Sequence, residues 1–461
     1  MNRIATRSMT LLILVLLLIG GFGFFLVDYF VNSENWVVHS GSPHVYNINE
    51  VQNEQVENIG CGVIVDRDLN LIVDMHDAWT YADSLALRQS MVHWVGDRLG
   101  NISAPAMSHY AADLAGFDRL NGLYNYGQKG GLAELTLSGA LQTAALEAMG
   151  DYKGTVAVFN YKTGELLCAV TTPNYDPDNI PLFEEGDPLY EGLYFNRFTQ
   201  SAYIPGSVFK IVTLAAALEV NPAITEQAFS CTGSYKIGNE EITCEDPHWN
   251  QSLKDAFLNS CNCAFAQIAQ QLGGDTLQQY VEKFGVIQPV SFDGITTQKG
   301  NFKAVGEADL NVAWSGIGQY LDLVNPCAFL TFVGAVANDG KVITPHLVGK
   351  ISVGNNITYK AKPNVGEQIM SEATAHILQD YMKNNVVGKY GAEHFHGLTA
   401  GAKTGTGEVD GQKPNATLAG FVEDETLPLA FMICVEDAGY GRSVCVPIIS
   451  KILQTAKQVL Q

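Results

Sequence analysis

A serine and a lysine three residues apart are the first pair in this sequence that could do covalent chemistry. Ser207 follows Pro205 and Gly206, and Lys210 opens an apolar run that predicts a buried helix. At this spacing both side chains project from one face of the helix. A partly desolvated amine can take the proton of a hydroxyl and so create a nucleophile. The free backbone N–H groups at the helix start can stabilise an oxyanion.

Two further motifs change the interpretation of that pair. By itself, Ser-x-x-Lys is most often a helix cap followed by a surface lysine. Here Ser260-Cys-Asn262 begins 53 residues after Ser207, and Lys403-Thr-Gly-Thr406 begins 143 residues after Ser260. These motifs in this order are the signature of class A β-lactamases and penicillin-binding proteins. The chain resembles the class B penicillin-binding proteins, which are peptidoglycan D,D-transpeptidases.

A second Lys-Thr-Gly lies ahead of the serine and out of order. Lys162-Thr-Gly164 joins two apolar segments, Gly154–Asn160 and Glu165–Thr171, that read as strands. This position predicts the tip of a hairpin. We therefore expect a turn there and no catalytic role.

The resemblance implies a role for each polar residue of the first two motifs. Ser207 is expected to attack the carbonyl of the penultimate D-Ala of a stem peptide. Lys210 takes its proton, and Ser260 relays a proton to the leaving amine. Asn262 binds the substrate amide and holds Lys210. The charge of Lys403 is expected to lower the pKa of Lys210.

The resemblance also assigns substrate binding to the residues after Lys403. Thr404 and Thr406 are expected to bind the terminal carboxylate of the substrate. Gly405 is expected to let the strand approach the substrate closely. The backbone N–H groups of Ser207 and Thr406 would form the oxyanion hole.

The fold implied by the resemblance is α/β (α+β). An antiparallel sheet flanked by helices is joined to an all-helical subdomain, as in β-lactamases and transpeptidases. Residues 131–461 are predicted to form this penicillin-binding transpeptidase domain, and residues 28–130 a linker and a small non-catalytic pedestal. The presumed pedestal begins with a strand-like segment near residues 60–73.

The N-terminus indicates a membrane anchor. An uncharged apolar run covers residues 9–27, with Arg3 and Arg7 before it and Asp28 after it. The run is long enough to span a bilayer, and the charge distribution predicts a cytoplasmic tail over residues 1–8 with the rest outside. No small-residue cleavage site follows the run, which favours an uncleaved anchor over a signal peptide.

The composition argues against several classes of ligand. The 461 residues carry a net charge of −21, which argues against nucleic acid and anionic lipid as ligands. Nine cysteines lack paired C-x-x-C spacing, so neither zinc nor any other metal or cofactor is expected. Cys231 and Cys244 flank a predicted hairpin and form either a disulfide or two reduced thiols. Cys261 is expected to be a buried, inert thiol, and His394 and His396 to lie on a surface loop.

The implied partners are D-Ala-D-Ala stem peptides, β-lactams as covalent inhibitors, the plasma membrane and a membrane glycan polymerase. A D,D-carboxypeptidase and a non-enzymatic β-lactam sensor or scaffold remain alternatives. Glu307-Ala-Asp-Leu-Asn311 is similar to the segment with which class A β-lactamases activate a deacylating water. Its spacing from the other motifs argues against that role, so a long-lived penicillin adduct is expected.

Overall fold

The structure, a computed structural model, describes residues 2–37, 62–75, 79–115, 130–184 and 186–461. Most of the predicted linker, and the part of the predicted pedestal over residues 116–129, lie outside the described residues. Helix α1, Asn2–Val37, contains an apolar stretch of 26 residues, Thr6–Val31, whose mean hydropathy is 2.8. None of the residues in its most apolar segment is buried against the rest of the described chain. Length and composition suit either a membrane span or a signal sequence.

Nineteen strands follow among the described residues. They are β1 Val63–Val65, β2 Leu71–Asp74, β3 Thr80–Tyr81, β4 Gly131–Leu135, β5 Gly154–Asn160, β6 Leu166–Thr172, β7 Ala228–Cys231, β8 Ser234–Ile237, β9 Glu240–Thr243, β10 Trp249–Ser252, β11 Ser291–Phe292, β12 Ile295–Thr296, β13 Lys341–Thr344, β14 Val348–Val353, β15 Asn356–Lys360, β16 Asn364–Gln368, β17 Ala400–Gly407, β18 Asn415–Val422 and β19 Leu429–Val435.

The further α-helices of the described chain alternate with these strands. They are α2 Leu85–Val95, α3 Pro105–His109, α4 Ala111–Leu114, α5 Gly139–Met149, α6 Arg197–Gln200, α7 Lys210–Val220, α8 Leu253–Leu258, α9 Asn262–Leu272, α10 Gly274–Lys283, α11 Asp309–Ser315, α12 Pro326–Ala337, α13 Glu372–Asn385 and α14 Gly441–Val459.

A five-stranded sheet in the order β17-β18-β19-β5-β6 forms the centre of the fold, and every neighbouring pair in it is antiparallel. Strands β6, β18 and β19 are buried along their whole length because helices cover both faces. Helices α5 and α14 pack on one face and α12 on the other. The predicted antiparallel sheet flanked by helices is confirmed.

Helices α7 to α13 form the helical region beside that sheet. Helix α7 is apolar on all sides and its residues 210–218 are buried, as its Ala, Leu and β-branched composition predicts. The predicted hairpin between Cys231 and Cys244 is confirmed as the pair β8–β9, in which Ser234 faces Thr243.

A six-stranded sheet in the order β15-β14-β4-β1-β2-β3 contains the N-terminal strands. Strand β4 pairs with β1 on one side and with β14 on the other, so β1 to β4, β14 and β15 build one sheet. The predicted domain division at residue 131 therefore falls within a sheet to which both sides contribute. The sequence pattern placed β4 in the catalytic domain because its strand–helix continuation reads as one unit, whereas its pairing partners are distant in the chain.

Candidate active site

The segment that carries Ser207 is a tight turn held against the edge strand of the central sheet. Residues Gly206–Phe209 form a 3₁₀ turn that continues into α7. Gly206 has φ +58°, and a Cβ there would lie 2.3 Å from the carbonyl oxygen of Thr406. The Thr417 hydroxyl donates to the Pro205 carbonyl at 2.9 Å. Only glycine satisfies both the positive φ and this contact, so Gly206 fixes the distance between the serine and β17.

Lys210 lies directly beneath Ser207 and is fully buried. Its Nζ donates to Ser207 Oγ at 3.1 Å and to Asn262 Oδ1 at 2.7 Å. It also contacts Ser260, through the carbonyl oxygen at 2.5 Å and Oγ at 3.2 Å. These four acceptors are neutral oxygens, so they orient the amine without fixing its proton as a carboxylate would.

Lys403 contacts the Ser260 hydroxyl from the side opposite to Lys210. Its Nζ donates to Ser260 Oγ at 2.8 Å and to the Thr404 carbonyl at 3.0 Å, and its side chain is 1% exposed. The Ser260 hydroxyl therefore lies between two lysine amines. This is the position that a relay between Ser207 and a second proton carrier requires.

Burial dominates the electrostatics of both lysines. It lowers the pKa of Lys210 to about 8 and the pKa of Lys403 well below its ordinary value. The charge of Lys210 lowers the pKa of Lys403 further. Desolvation, rather than the charge of the neighbouring lysine, is the largest cause of the lowered pKa at both sites. Because both amines donate to Ser260 Oγ, we expect them to titrate as a pair.

Asn262 and Ser260 are held by the start of helix α9. Asn262 is the first helical residue, and its Nδ2 donates to the Thr243 carbonyl at 2.9 Å, which turns Oδ1 toward Lys210. Ser260 has φ +54°, a conformation that costs a non-glycine residue energy and persists only where its surroundings enforce it. The second motif is thus a strained turn followed by a helix.

Strand β17 forms the opposite wall. The Thr404 N–H and hydroxyl both donate to the Tyr390 hydroxyl, at 3.0 and 3.2 Å, so this N–H points away from β18. Strand alternation places the Thr406 N–H on the same free edge. A Cβ at Gly405 would lie 2.3 Å from Thr417 Oγ1 and 2.7 Å from the Pro205 carbonyl. Close packing against Thr417 and the Ser207 segment therefore requires glycine at this position.

A cavity of about 1170 Å³ opens above these residues and brings the predicted site together. Its lining contains the polar residues of all three motifs except the two lysines, which form the floor beneath it. The predicted residues in the lining are Ser207, Ser260, Asn262, Thr404, Gly405 and Thr406.

Several lining residues were missed by the sequence interpretation. Arg442, Lys389, Gln319, Tyr390 and His394 also face this cavity. Arg442 had a signal, because a cation in the first turn of α14 opposes the helix dipole and suggests a role other than helix stability. His394, expected on a surface loop, lines the cavity, whereas the Nε2 of His396 lies 3.0 Å from the Ser450 carbonyl.

Glu307 lies outside the cavity lining. Its carboxylate pairs with Lys303 Nζ at 2.6 Å and accepts hydrogen bonds from Asn311 Nδ2 at 2.8 Å and the Tyr320 hydroxyl at 3.1 Å. These neighbours lower the pKa of the Glu307 carboxyl and already engage both of its oxygens. The arrangement agrees with the expectation that Glu307 does not activate a water at the Ser207 ester.

The cysteines agree with the second of the two alternatives, the reduced thiols. Cys231 and Cys244 are both reduced, and Cys244 Sγ lies 3.7 Å from Cys261 Sγ. Cys231 Sγ instead lies 3.5 Å from His248 Nδ1. Cys261 is buried as predicted, but it is one of four potential metal ligands that lie close together. The expected absence of a metal relied on C-x-x-C spacing, which cannot detect ligands from four separate elements.

Sequence comparison identifies a protein family and relatives that this chain resembles. A sequence model of the penicillin binding protein transpeptidase domain matches residues 154–454. The chain is 26% identical over 367 residues to peptidoglycan D,D-transpeptidase PbpA of Mycobacterium tuberculosis, covering 72% of this chain and 73% of that protein. It is 30% identical over 297 residues to the probable peptidoglycan D,D-transpeptidase FtsI of Caulobacter vibrioides, covering 61% of this chain and 47% of that protein.

Solved structures share the fold. The crystal structure of PBPA from Mycobacterium tuberculosis has a TM-score of 0.75 and 22% identity, with 87% of this chain and 100% of that chain covered. The penicillin G acyl-enzyme complex of the same mycobacterial protein gives a TM-score of 0.73 at 21% identity, with the same coverage. The family match covers well over half of the chain, and it confirms the resemblance that the three motifs indicated. The chain belongs to the penicillin-binding protein transpeptidase family.

Proposed function

We propose that the chain is a serine D,D-transpeptidase that cross-links the stem peptides of peptidoglycan through an acyl-enzyme on Ser207. One observation carries the proposal. Ser207 Oγ lies 3.1 Å from the buried Nζ of Lys210, while Ser260 Oγ lies within hydrogen-bond distance of Lys210 and Lys403. Nucleophile, base and relay are thus in contact at the floor of one cavity. The names of the curated relatives, which are D,D-transpeptidases, support the same activity.

The first step is acylation. The neutral amine of Lys210 takes the Ser207 proton as Oγ attacks the carbonyl carbon of the penultimate D-Ala. The C–N bond to the terminal D-Ala breaks, and the leaving amine receives a proton through the Ser260 hydroxyl. A lysine with a pKa of about 8 supplies far more neutral base at neutral pH than one at its ordinary value of 10.5.

The oxyanion of that step lies between two backbone donors. The Ser207 N–H belongs to the first turn of the nucleophile segment, and the Thr406 N–H points from the free edge of β17. Two such donors at a developing negative charge are worth several kcal/mol, since removing one costs roughly 2.7–4 kcal/mol in other acyl transferases. Gly206 keeps these two elements at the required separation.

The substrate's terminal carboxylate is bound at the β17 side. The Thr406 hydroxyl is a donor there, and the Thr404 hydroxyl becomes a second one when it turns from Tyr390 to the substrate. Asn262 faces the substrate amide from the other wall. Arg442 and Lys389 add positive charge to the cavity in a chain whose net charge is −21. Glu245 and Glu408 also line the cavity, so the attraction for the donor carboxylate comes from the cations nearest to it and from the lysines of the floor.

The second step decides between transpeptidase and carboxypeptidase. An acceptor amine of a second stem peptide attacks the Ser207 ester to form the cross-link, whereas water would release a shortened peptide. The cavity volume of about 1170 Å³ leaves room for a second peptide beside the acyl group, which favours transpeptidation. β-Lactams enter the same cavity and acylate Ser207 as inhibitors. Penicillin G and imipenem acyl-enzyme complexes of a protein with this fold support that inference.

The N-terminal helix α1 is proposed to be an uncleaved, single-pass anchor that leaves the catalytic domain outside the plasma membrane. Arg3 and Arg7 precede its apolar stretch, which favours a cytoplasmic N-terminus. A partner glycan polymerase in the membrane would supply the strands. A reporter enzyme fused after Gln461 should be active only outside the cytoplasm, and activity inside would overturn this orientation.

The decisive experiment for the activity uses the full-length chain in detergent with a glycan polymerase and lipid-linked precursor. Mass spectrometry of the digested product should show cross-linked peptides with wild type and none with Ser207→Ala. Released D-Ala without cross-links would identify a carboxypeptidase. Neither product, together with intact penicillin binding, would identify a sensor or scaffold.

A further inference from the structure

Four potential metal ligands converge beside the second motif. Cys231 ends β7, Cys244 follows β9, His248 precedes β10, and Cys261 is the N-cap of α9. Their three sulfurs and one imidazole nitrogen all lie within 4.8 Å of one another. Core packing alone does not require that donor atoms from four different segments converge on one point.

Two of the six distances between these donor atoms match those expected around a single tetrahedral ion. With Zn–S near 2.3 Å and Zn–N near 2.0 Å, tetrahedral angles separate two sulfurs by roughly 3.8 Å and a sulfur from a nitrogen by roughly 3.5 Å. The observed separations are 3.7 Å for the sulfurs of Cys244 and Cys261 and 3.5 Å for Cys231 Sγ and His248 Nδ1. The sulfur–sulfur distance is far longer than the disulfide bond length of about 2.05 Å.

Backbone N–H groups at the start of α9 point at these sulfurs. Cys244 Sγ accepts from the N–H of Asn262 at 3.1 Å and from that of Cys263 at 3.4 Å. Cys261 Sγ accepts from the N–H of Ala264 at 3.4 Å. Such hydrogen bonds favour the thiolate, which is the form that binds metal, and they orient the ligands.

We propose that Cys231, Cys244, His248 and Cys261 bind one zinc ion in a closed, four-coordinate site. Three thiolates and an imidazole in tetrahedral arrangement are the ligand set of structural zinc. All four positions are filled by protein, so the ion has no open place for water or substrate. Binding releases the three thiol protons and leaves the site with one negative charge.

The ion would position the catalytic machinery. Cys261 is bonded through its peptide groups to Ser260 and Asn262, both of which hydrogen-bond Lys210. A Zn–S bond at Cys261 holds the strained backbone of Ser260, whose φ is +54°. It also ties α9 to Cys244, next to the Thr243 carbonyl that orients Asn262. The cysteine in the middle of Ser260-Cys-Asn262 thereby acquires a function that a buried, inert thiol would not have.

Metal content tests the site directly. The full-length chain, purified in detergent without chelators, should contain about one zinc per chain by elemental analysis. Cys231→Ala, His248→Ala and Cys261→Ala should each lose most of it. Cys327→Ala removes a buried thiol from α12, outside the cluster, and should keep the full zinc content. Zinc absent from the reduced wild type after addition of Zn²⁺, or retained in all three ligand variants, would overturn the proposal.

A second measurement uses only the wild type and so does not depend on variants that fold. Replacing zinc by Co²⁺ should produce the visible bands of tetrahedral cobalt and thiolate-to-cobalt charge-transfer absorption. Octahedral cobalt spectra, or a disulfide between Cys244 and Cys261 in the chain purified without added oxidant, would contradict the site.

Removal of the ion should also slow chemistry at Ser207. A chelator is expected to reduce the rate of penicillin acylation by roughly tenfold or more, because small displacements of catalytic groups have effects of this size. Added Zn²⁺ should restore the rate, and Cys327→Ala should respond as wild type does. An unchanged rate in metal-free, folded protein would refute the positioning role while leaving the transpeptidase proposal intact.

Discussion

The chain contains the tripeptide Lys-Thr-Gly twice, and the two copies differ in burial and in hydrogen-bond partners. Lys162 is exposed at the tip between β5 and β6, where its Nζ donates to Asn338 Oδ1 at 2.7 Å. Lys403 is 1% exposed in β17, where its Nζ donates to Ser260 Oγ at 2.8 Å. The comparison teaches that burial and neighbours make a lysine chemically useful, since desolvation lowers the pKa of Lys403 well below its ordinary value.

The glycines of the two copies also serve different purposes. Gly164 has φ +84°, as the turn requires, and a Cβ there would lie 2.6 Å from the Thr344 carbonyl. Gly405 lies in a regular strand, and the obstacles to a side chain are the Ser207 segment and Thr417. One glycine shapes a loop, and the other sets the width of the catalytic cleft.

The largest expected difference comes from removing each lysine. Lys403→Ala should lower the rate of acylation by a fluorescent penicillin by roughly 10²–10⁴-fold, because a proton-relay partner and the attraction for carboxylate are both lost. Lys162→Ala, the matched control, should react as wild type does. Second-order rate constants from timed labelling give the comparison directly. Equal rates in the two variants would remove the catalytic role of Lys403.

The pH dependence of acylation sharpens the contrast. Burial lowers the pKa of Lys210 to about 8, so the neutral base accumulates as pH rises through that value. Acylation should therefore fall about tenfold per pH unit well below the pKa and level off above it. Lys162→Ala should leave this profile unmoved. A rate independent of pH over the range in which the protein stays folded would show that Lys210 is not the base.

Substitution of the glycines should separate stability from catalysis. Gly164→Ala and Gly405→Ala should both destabilise the fold, by about 1–3 kcal/mol, through forced positive φ or close contact. Only Gly405→Ala should slow acylation in the folded fraction, because it pushes β17 away from Ser207. Thermal unfolding and labelling of the same samples report the two effects. Loss of acylation in Gly164→Ala alone would reverse the assignment.

The smallest effect is expected at Glu307. Its sequence is similar to the deacylation segment of class A β-lactamases, but its carboxylate does not line the cavity. Glu307→Gln should leave the lifetime of the penicillin adduct unchanged, since the carboxylate pairs with Lys303 away from the cavity lining. Mass spectrometry of the acylated protein over time measures this lifetime. Rapid deacylation in wild type that the substitution prolongs would mean that the chain hydrolyses penicillin.

Patterns local in sequence predicted much of the fold. The apolar runs at β5, β6 and β19 indicated buried strands, and the composition of α7 indicated a buried helix. The order of the three motifs identified the residues that meet at Ser207. Order also distinguished Lys403 from Lys162, which no property of the tripeptide itself could do.

The remaining features depend on contacts between distant segments. Strand β4 lies between β1 of the N-terminal strands and β14, which is more than 200 residues later in the chain. The zinc ligands come from four elements and follow no short spacing rule. Arg442 offered a weak local signal, whereas Lys389 offered none. Such features require the packed structure because only packing brings their partners together.

The most direct test of the account is the site of the penicillin adduct. Full-length wild-type protein treated with penicillin should gain the mass of one intact penicillin molecule, and peptide mapping should locate it on Ser207. Ser207→Ala should remain folded and gain no mass, while Ser201→Ala, a nearby control, should be modified as wild type is. An adduct of the same mass on Ser207→Ala, or on a different residue of wild type, would contradict the central claim.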